Sequence, residues 1–210
     1  MNQNTKRGIL AMIVGLGVMA GSVSADAQSF ASLPRTIGAA TLGGEARPLA
    51  GWSDFCRRDP AECAVNLAEP ATVQLTQRVW NTIVSVNRSV NGSIRAITDE
   101  DHWGVADRWD MPADGMGDCE DFQLLKRRML VEEGLPRRAM RMTVVIDEKG
   151  EGHAVLTIRT HRGDFVLDNK TSAVLPWSDT GYQFIKRESQ ERVGWVSLGG
   201  AASPVSTANR

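Results

Sequence analysis

The stretch "HAVLTIRTHRGDFVLD", residues 153–168, determines the fold that we expect for this chain. A period of two runs through its first eight and its last five residues, which is the pattern of two half-buried strands. The three residues between them, His-Arg-Gly, are too few for a crossover, so the strands must be antiparallel neighbours. If Gly163 closes this turn with a positive φ, Asp168 lies opposite about residue 155.

A further strand and two helices precede this hairpin. "MRMTVVID", residues 140–147, has the same period of two and joins the hairpin through a short turn. Upstream, a helical period runs from Cys119 to Glu133, and an earlier one runs over residues 70–90 with Pro70 in its first turn. Helices followed by a run of antiparallel strands predict an α+β domain, with the helix that carries Cys119 packed on the sheet.

The overall composition is that of an ordinary globular protein, with 42% hydrophobic and 23% charged residues. The formal net charge is −1, so the chain has no basic field of the kind that nucleic-acid binding requires. We therefore expect no nucleic-acid partner.

The N-terminal residues 1–27 have the features of a secretory signal peptide. Lys6 and Arg7 precede an apolar run over residues 8–21, and an Ala-x-Ala site ends at Ala27. We expect cleavage after Ala27 and export to the periplasm. Because no later apolar run is long enough to span a bilayer, we expect no membrane insertion once the signal is removed.

Four segments follow from these patterns. They are a signal peptide at 1–27, a flexible segment rich in Ala, Gly, Ser and Pro at 28–50, one globular domain at 51–198, and a disordered tail at 199–210.

The three cysteines divide into a pair and a single residue. Cys56 and Cys63 flank a proline-containing turn, and in an oxidising compartment such neighbours form a local disulfide. Cys119 is then the odd thiol, and an odd thiol in an exported protein is either inert and buried or reactive.

The block "GDCEDF", residues 117–122, surrounds this thiol with carboxylates. Asp118, Glu120 and Asp121 disfavour its ionisation, whereas the first turn of a helix favours it. The structural alternative is that Asp118 caps the helix while the other two carboxylates interact with the helix dipole.

A nucleophilic cysteine needs a base, and the base needs an acceptor that orients it. His153 opens one strand of the hairpin and Asp168 ends the next, one diagonal step away in the expected register. A slip of one residue would place the two on opposite faces of the sheet. Each residue taken singly is more often structural, but Cys119, His153 and Asp168 together predict a catalytic triad.

These residues resemble those of the bacterial transglutaminase-like cysteine peptidases, a family that includes the LapG-type periplasmic proteases. The resemblance rests on "DRWDMPADGMGDCEDFQLLKRRML" at 107–130, on "GHAVLTIRTHRGDFVLDN" at 152–169, and on Trp177 and Tyr182. It covers roughly residues 52–190, so the domain at 51–198 is identified as a peptidase domain of this type.

The resemblance implies a papain-like, transglutaminase-like α+β fold and a triad of Cys119, His153 and Asp168. It also implies cysteine endopeptidase activity in the periplasm, toward a surface or periplasmic protein such as a large adhesin. LapG-type members are sequestered by an inner-membrane receptor, so such a receptor is a further expected partner.

A calcium ion is the cofactor that the resemblance implies. LapG-type members bind Ca²⁺ through acidic residues that flank the cysteine, which here are Asp118 and Glu120 with Asp121 as a helper. Three carboxylates do not complete a shell of six to eight ligands, so backbone carbonyls, waters, or Asp110 and Asp114 must contribute.

Two residues are candidates for supporting roles, and two other functions compete with proteolysis. Trp109 is a candidate oxyanion donor beside the backbone N–H of Cys119, or else a core aromatic, and Asn169 is expected to support the triad. The same triad would also serve a transglutaminase or amide acyl transferase, in which an amine intercepts the thioester. A non-catalytic calcium-binding module is the third possibility.

Overall fold

The computed structural model describes residues 32–199. The predicted signal peptide at 1–27, its cleavage after Ala27, and residues 200–210 of the predicted tail lie outside this range. Within it, no helix has both the length and the apolar character needed to cross a membrane.

The helices and strands of this range follow one another in a mixed order. The helices are α1 Ala50–Arg58, α2 Pro60–Cys63, α3 Gln77–Ser93, α4 Asp99–Trp103 and α5 Cys119–Glu132. The strands are β1 Glu45–Ala46, β2 Arg95–Ala96, β3 Met116–Gly117, β4 Met140–Ile146, β5 Gly152–Thr160, β6 Gly163–Leu167, β7 Leu175–Pro176, β8 Gln183–Glu188 and β9 Trp195–Ser197.

One antiparallel sheet organises the domain. Its strand order is β1-β9-β8-β4-β5-β6-β7, and each neighbouring pair is antiparallel. Helix α5 packs across β4 and β5, and α3 packs on α5. The predicted α+β class, a helical layer that carries Cys119 on an antiparallel sheet, is confirmed.

The register of the central hairpin is the one that the sequence predicts. Strands β5 and β6 pair from Thr160 opposite Gly163 to Leu156 opposite Leu167, so Asp168 follows the last pair and lies beside Val155. Gly163 has a φ of 113°. A side chain at this position would also meet Ile37, whose Cγ1 would lie 2.4 Å from the added Cβ.

Helix α3 begins later than the sequence pattern predicts. The prediction that Pro70 opens the helix is wrong, because the chain first pairs with the end of β5: the N–H of Val73 donates to the carbonyl of Arg159 at 2.8 Å. The helix starts at Gln77, after Thr76, whose hydroxyl accepts a hydrogen bond from the third residue beyond it.

A short helix, α4, lies at the start of the segment 99–117, although the sequence of this segment shows no clean helical period. Thr98 caps α4 by accepting a hydrogen bond from the N–H of Asp101, and Gly104 ends the helix with a φ of 68°. The loop is closed at its base because β2 and β3 pair in parallel, with Arg95 opposite Met116.

Part of the segment 28–50 packs on the sheet more closely than its composition suggests. The N–H of Ile37 donates to the carbonyl of Arg162 at 2.8 Å. Strand β1 then pairs with β9, with Glu45 opposite Val196.

The disulfide between Cys56 and Cys63 is present, as predicted, and it ties α1 to α2. Arg58, at the end of α1, donates to the carbonyl of Trp109 at 2.7 Å. The disulfide-closed segment therefore braces the stretch that leads toward Cys119.

Candidate functional site

Cys119 is the first residue of α5 and is 3% exposed. Because α5 crosses the sheet with its first turn over β5, the sulfur lies against that strand. Its Sγ accepts a hydrogen bond from the backbone N–H of Ala154 at 3.4 Å. Ala154 is the residue after His153, so the fold brings the cysteine to the start of the predicted hairpin.

His153 and Asp168 form a buried pair. His153 Nε2 lies 2.8 Å from Asp168 Oδ1. Because a carboxylate only accepts, this contact assigns the imidazole proton to Nε2. The other nitrogen, Nδ1, is buried and has no hydrogen-bond partner within residues 32–199. In the neutral imidazole with its proton on Nε2, Nδ1 carries the lone pair that can accept a proton.

Three donors hold the Asp168 carboxylate. Besides His153, the backbone N–H of Lys170 donates to Oδ1 at 3.0 Å, and the hydroxyl of Tyr182 donates to Oδ2 at 2.7 Å. Burial raises the pKa of Asp168, but the hydrogen bond and charge of His153, with those further donors, outweigh it and hold the pKa below its usual value. The carboxylate is thus an anion that fixes the imidazole.

The two predicted supporting residues lie in different surroundings. Asn169 lines the cleft and accepts a hydrogen bond from Gln123 Nε2 at 3.4 Å. Trp109 is fully buried, lies edge-on to Trp195, and its indole N–H donates to Asp107 Oδ1 at 3.1 Å. An oxyanion role for Trp109 would require its N–H to leave that carboxylate, and the observed position is that of the alternative, a core aromatic.

A cleft of about 930 Å³ opens above the cysteine. Residues 95–101 and Ala106 form one wall, Asn169 and Lys170 form part of the other, and Asp118 and Cys119 lie between them. The volume is in the range of pockets that bind a ligand of several residues.

An acidic group surrounds the cysteine on the side of this wall. The three predicted ligands, Asp118, Glu120 and Asp121, are joined by Asp99 of α4 and by Asp107. Carboxylate oxygens of Asp99, Asp107 and Glu120 lie within 4.8 Å of one another, and so do those of Asp99, Asp118 and Asp121. Asp99 and Asp107 are not among the ligands that we predict from the sequence, although both lie nearer to Cys119 in the chain than His153 does.

Several oxygens of this group have no donor within the described range. Both carboxylate oxygens of Asp118 and Oε1 of Glu120 are buried without a hydrogen-bond partner there. Asp118 occupies the N-cap position of α5, but its side chain makes no capping hydrogen bond. The expectation that Asp118 caps the helix is therefore wrong, and its carboxylate faces the acidic group instead.

Burial and mutual repulsion raise the pKa values of four of these carboxyl groups, those of Asp99, Asp118, Glu120 and Asp121. Burial and the neighbouring carboxylates raise the pKa of Asp118 and of Glu120, and they raise the pKa of Asp121 to about 9. Burial and the charge of Glu120 raise the pKa of the Cys119 thiol well above its usual value. The thiol donates to Glu120 Oε2 at 3.0 Å.

A hard divalent cation fits this group. Carboxylate oxygens are the ligands that Ca²⁺ prefers, and orphaned buried oxygens are the atoms that such an ion would satisfy. Asp110 and Asp114, which the sequence offered as further ligands, bind elsewhere: Asp110 pairs with Arg58 and Arg108, and Asp114 pairs with His102.

Comparison with known proteins identifies relatives of the whole domain. The model of a family described as bacterial transglutaminase-like cysteine proteinase matches residues 42–203. Together with the helical layer on an antiparallel sheet, this match confirms the predicted transglutaminase-like fold.

Solved structures of LapG from Legionella pneumophila are similar to the chain. One is 28% identical, with a TM-score of 0.49, and the match covers 58% of this chain and 70% of that chain. A calcium-bound LapG is 23% identical, with a TM-score of 0.48, and the match covers 64% of this chain and 85% of that chain. None of the curated proteins that were compared matches the chain.

Proposed function

The chain belongs to the bacterial transglutaminase-like cysteine proteinases, and from that premise we propose that it is a calcium-dependent endopeptidase with a Cys119, His153 and Asp168 triad. The observation that carries the triad is the buried contact of 2.8 Å between His153 Nε2 and Asp168 Oδ1, one residue from the N–H that binds the cysteine sulfur. His153 is then the base, Asp168 is the acceptor that orients it, and the N–H of Ala154 holds the nucleophile Cys119 beside them.

The proposed reaction is acyl transfer to water. Nδ1 of His153 takes the thiol proton, and the thiolate of Cys119 attacks a peptide carbonyl carbon in the cleft. The imidazolium returns the proton to the leaving amine, and a thioester to Cys119 remains. Nδ1 then takes a proton from water, whose oxygen attacks the thioester carbon. The carbon–sulfur bond breaks, the acid is released, and the imidazolium returns the proton to the sulfur of Cys119. Asp168 keeps the proton on Nε2 throughout and stabilises the imidazolium.

The start of α5 is proposed to stabilise the charge that develops on the substrate oxygen. The backbone N–H of Cys119 lies in the first turn of this helix, where the helix dipole favours negative charge. This donor requires no side chain, so the proposal does not depend on Trp109.

The acidic group is proposed to hold one Ca²⁺ ion. Asp118, Glu120 and Asp121 supply oxygens from the start of α5, and Asp99 and Asp107 supply oxygens from the segment between α3 and α5. When bound, the ion supplies positive charge that offsets the repulsion among these carboxylates. With Glu120 and Asp118 neutralised, the main charges that raise the pKa of the Cys119 thiol are offset.

The cellular setting is proposed from the sequence and the family. The signal-peptide pattern of residues 1–27 supports a periplasmic location. The resemblance to LapG-type proteases supports a large surface adhesin as the substrate and an inner-membrane receptor as a regulatory partner.

Shed proteins test the proposed function. Cells that lack the enzyme would receive either the wild-type protein or the Cys119→Ala variant, and the released surface proteins would be compared by mass spectrometry of their new termini. We expect new termini with the wild-type protein alone. Equal release by Cys119→Ala would exclude the triad, and incorporation of a labelled primary amine at the new termini would identify an acyl transferase.

A further inference from the structure

Tyr182 makes a direct contact with the proposed triad, although the triad does not include it. Its hydroxyl donates to Asp168 Oδ2 at 2.7 Å, while Oδ1 of the same carboxylate holds His153 Nε2. Its ring also lies edge-on to the imidazole, with centroids 5.8 Å apart and an interplanar angle of 84°.

The fold brings Tyr182 to this place from a distant strand. It precedes β8, which is separated from β6 by β4 and β5 in the sheet. Gly181, with a φ of 74°, turns the chain, and the hydroxyl of Thr180 accepts a hydrogen bond from the N–H of Tyr182 at 3.2 Å. The tyrosine backbone is therefore held where its side chain can reach Asp168.

We propose that Tyr182 is a positioning residue that locks the Asp168 carboxylate and, through it, the reactive form of His153. The inference rests on the proposed function, because it assigns a role toward the same triad. One carboxylate oxygen is fixed by the imidazole and the other by the phenol, so rotation about the Cβ–Cγ bond would break both contacts at once.

The consequence concerns the position of the imidazole proton. With Asp168 locked, the proton stays on Nε2 and Nδ1 keeps its lone pair for the thiol of Cys119. If the carboxylate turned away, the proton could move to Nδ1, and that tautomer presents an N–H that cannot accept a proton. The Asp168 side chain is only 4% exposed, so bulk water is a poor substitute for the missing donor.

The phenol remains a donor over the working range of pH. Burial and the Asp168 carboxylate raise the pKa of Tyr182 above its usual value. Tyr182 is the single tyrosine of the chain, so its ionisation can be followed by absorbance without overlap from another phenol.

The test compares Tyr182→Phe with the wild-type protein in two measurements. The first is the rate at which iodoacetamide alkylates Cys119 at neutral pH. The second is the tautomer of His153, read from the ¹⁵N imidazole shifts of histidine-labelled protein. We expect alkylation to slow by about tenfold, the value of one hydrogen bond to a charged group, and we expect signal from the Nδ1–H tautomer to appear.

Trp177→Phe is the matched control. Trp177 lies in the same connection, packs edge-on against Phe184, and donates to the carbonyl of Gly38 at 2.9 Å; neither of these partners is a triad residue. The Trp177→Phe variant loses a comparable aromatic hydrogen-bond donor, and we expect no change in the alkylation rate of Cys119 or in the tautomer of His153.

Unchanged alkylation and an unchanged tautomer in Tyr182→Phe would overturn the inference while the triad stands. A wild-type Cys119 that iodoacetamide does not label would instead overturn the proposed function. If Tyr182→Phe does not fold, the ionisation of Tyr182 in Asp168→Asn, followed by tyrosinate absorbance, is the second test. Tyr182 should then ionise at a lower pH than in the wild-type protein. An unchanged titration would overturn the inference.

Discussion

Gly117 and Asp121 pack so closely that a Cβ on residue 117 would lie 2.6 Å from Asp121 Oδ2 and 2.7 Å from its Cβ. The other oxygen of Asp121 accepts a hydrogen bond from the N–H of Asp110 at 2.8 Å. The Asp121 carboxylate thus lies between the backbone at Gly117 and the backbone at Asp110. Because residue 117 is glycine, there is room for this carboxylate within the acidic group.

Gly117→Ala should therefore weaken calcium binding. The added methyl group must displace Asp121, so we expect the affinity for Ca²⁺ to fall by about tenfold and the protein to lose roughly 1–3 kcal/mol of unfolding free energy. Titration calorimetry and denaturant unfolding measure the two effects. Gly92→Ala, which meets nothing within 4 Å in helix α3, is the control and should bind Ca²⁺ normally. Normal binding by Gly117→Ala would show that Asp121 is not a ligand.

Asp118→Asn should remove the stabilisation that we expect from Ca²⁺ at the proposed site. An ion that binds only the folded state adds about 2.7 kcal/mol at a hundredfold excess over its dissociation constant. We expect the midpoint of thermal unfolding to rise with Ca²⁺ in the wild-type protein and to stay constant in Asp118→Asn, because both oxygens of Asp118 lack another donor among the residues that the structure describes.

Asp114→Asn is the control for this measurement. Asp114 is an acidic neighbour that pairs with His102 outside the acidic group. Its variant should keep the full response to Ca²⁺. If Asp114→Asn lost the response and Asp118→Asn kept it, the ion would lie elsewhere.

Lys126→Met should stabilise the protein, most strongly at low pH. Lys126 is fully buried on α5, and its Nζ has no hydrogen-bond partner in the described part of the chain. Burial lowers its pKa from 10.5 to about 7, although the charge of Asp168 opposes this. Below about pH 7 the folded state carries the full cost of a buried ammonium group, and between that pH and about pH 10 the folded state sheds the proton that the unfolded state keeps.

The gain in unfolding free energy from Lys126→Met should thus be about 2 kcal/mol near pH 6 and should decline as the pH rises toward 10. Urea unfolding at several pH values measures it. Lys149→Met, in the exposed turn between β4 and β5, should show no such slope. A gain that is constant with pH would mean that Lys126 has the same pKa in the folded and unfolded states, so that burial does not lower it.

The hairpin that carries His153 and Asp168 was predictable because its geometry is local. The expected register required a turn before Gly163 and a positive φ at Gly163, and the structure has both, although the sequence alone did not exclude a slip of one residue. The start of α5 was predictable for the same reason, since a helical period begins at Cys119 and stops before Gly134.

The full acidic group was not predictable, because Asp99 and Asp107 reach it through the path of a loop. Helix α4 is only five residues long, so it shows no period, and its one signal is local: Thr98 as an N-cap and Gly104 as a left-handed end. The start of α3 was misplaced because pairing of Val73 with the end of β5 outweighs the preference of Pro70 for a first helical turn.

Tyr182 was part of the family resemblance but had no assigned role. Its contact with Asp168 depends on the order of the strands, which brings the start of β8 near the end of β6 across two other strands. No pattern near residue 182 reports such a long-range relationship.

The rate at which iodoacetamide alkylates Cys119 in His153→Gln tests the central claim most directly, because it needs no substrate. If His153 is the base that ionises the thiol, the rate at neutral pH should fall by about tenfold or more relative to the wild-type protein. His161→Gln is the control and should react at the wild-type rate, since Nδ1 of the His161 ring accepts a hydrogen bond from the N–H of Leu75 at 3.1 Å, and Leu75 is not a triad residue. A wild-type rate in His153→Gln would contradict the triad.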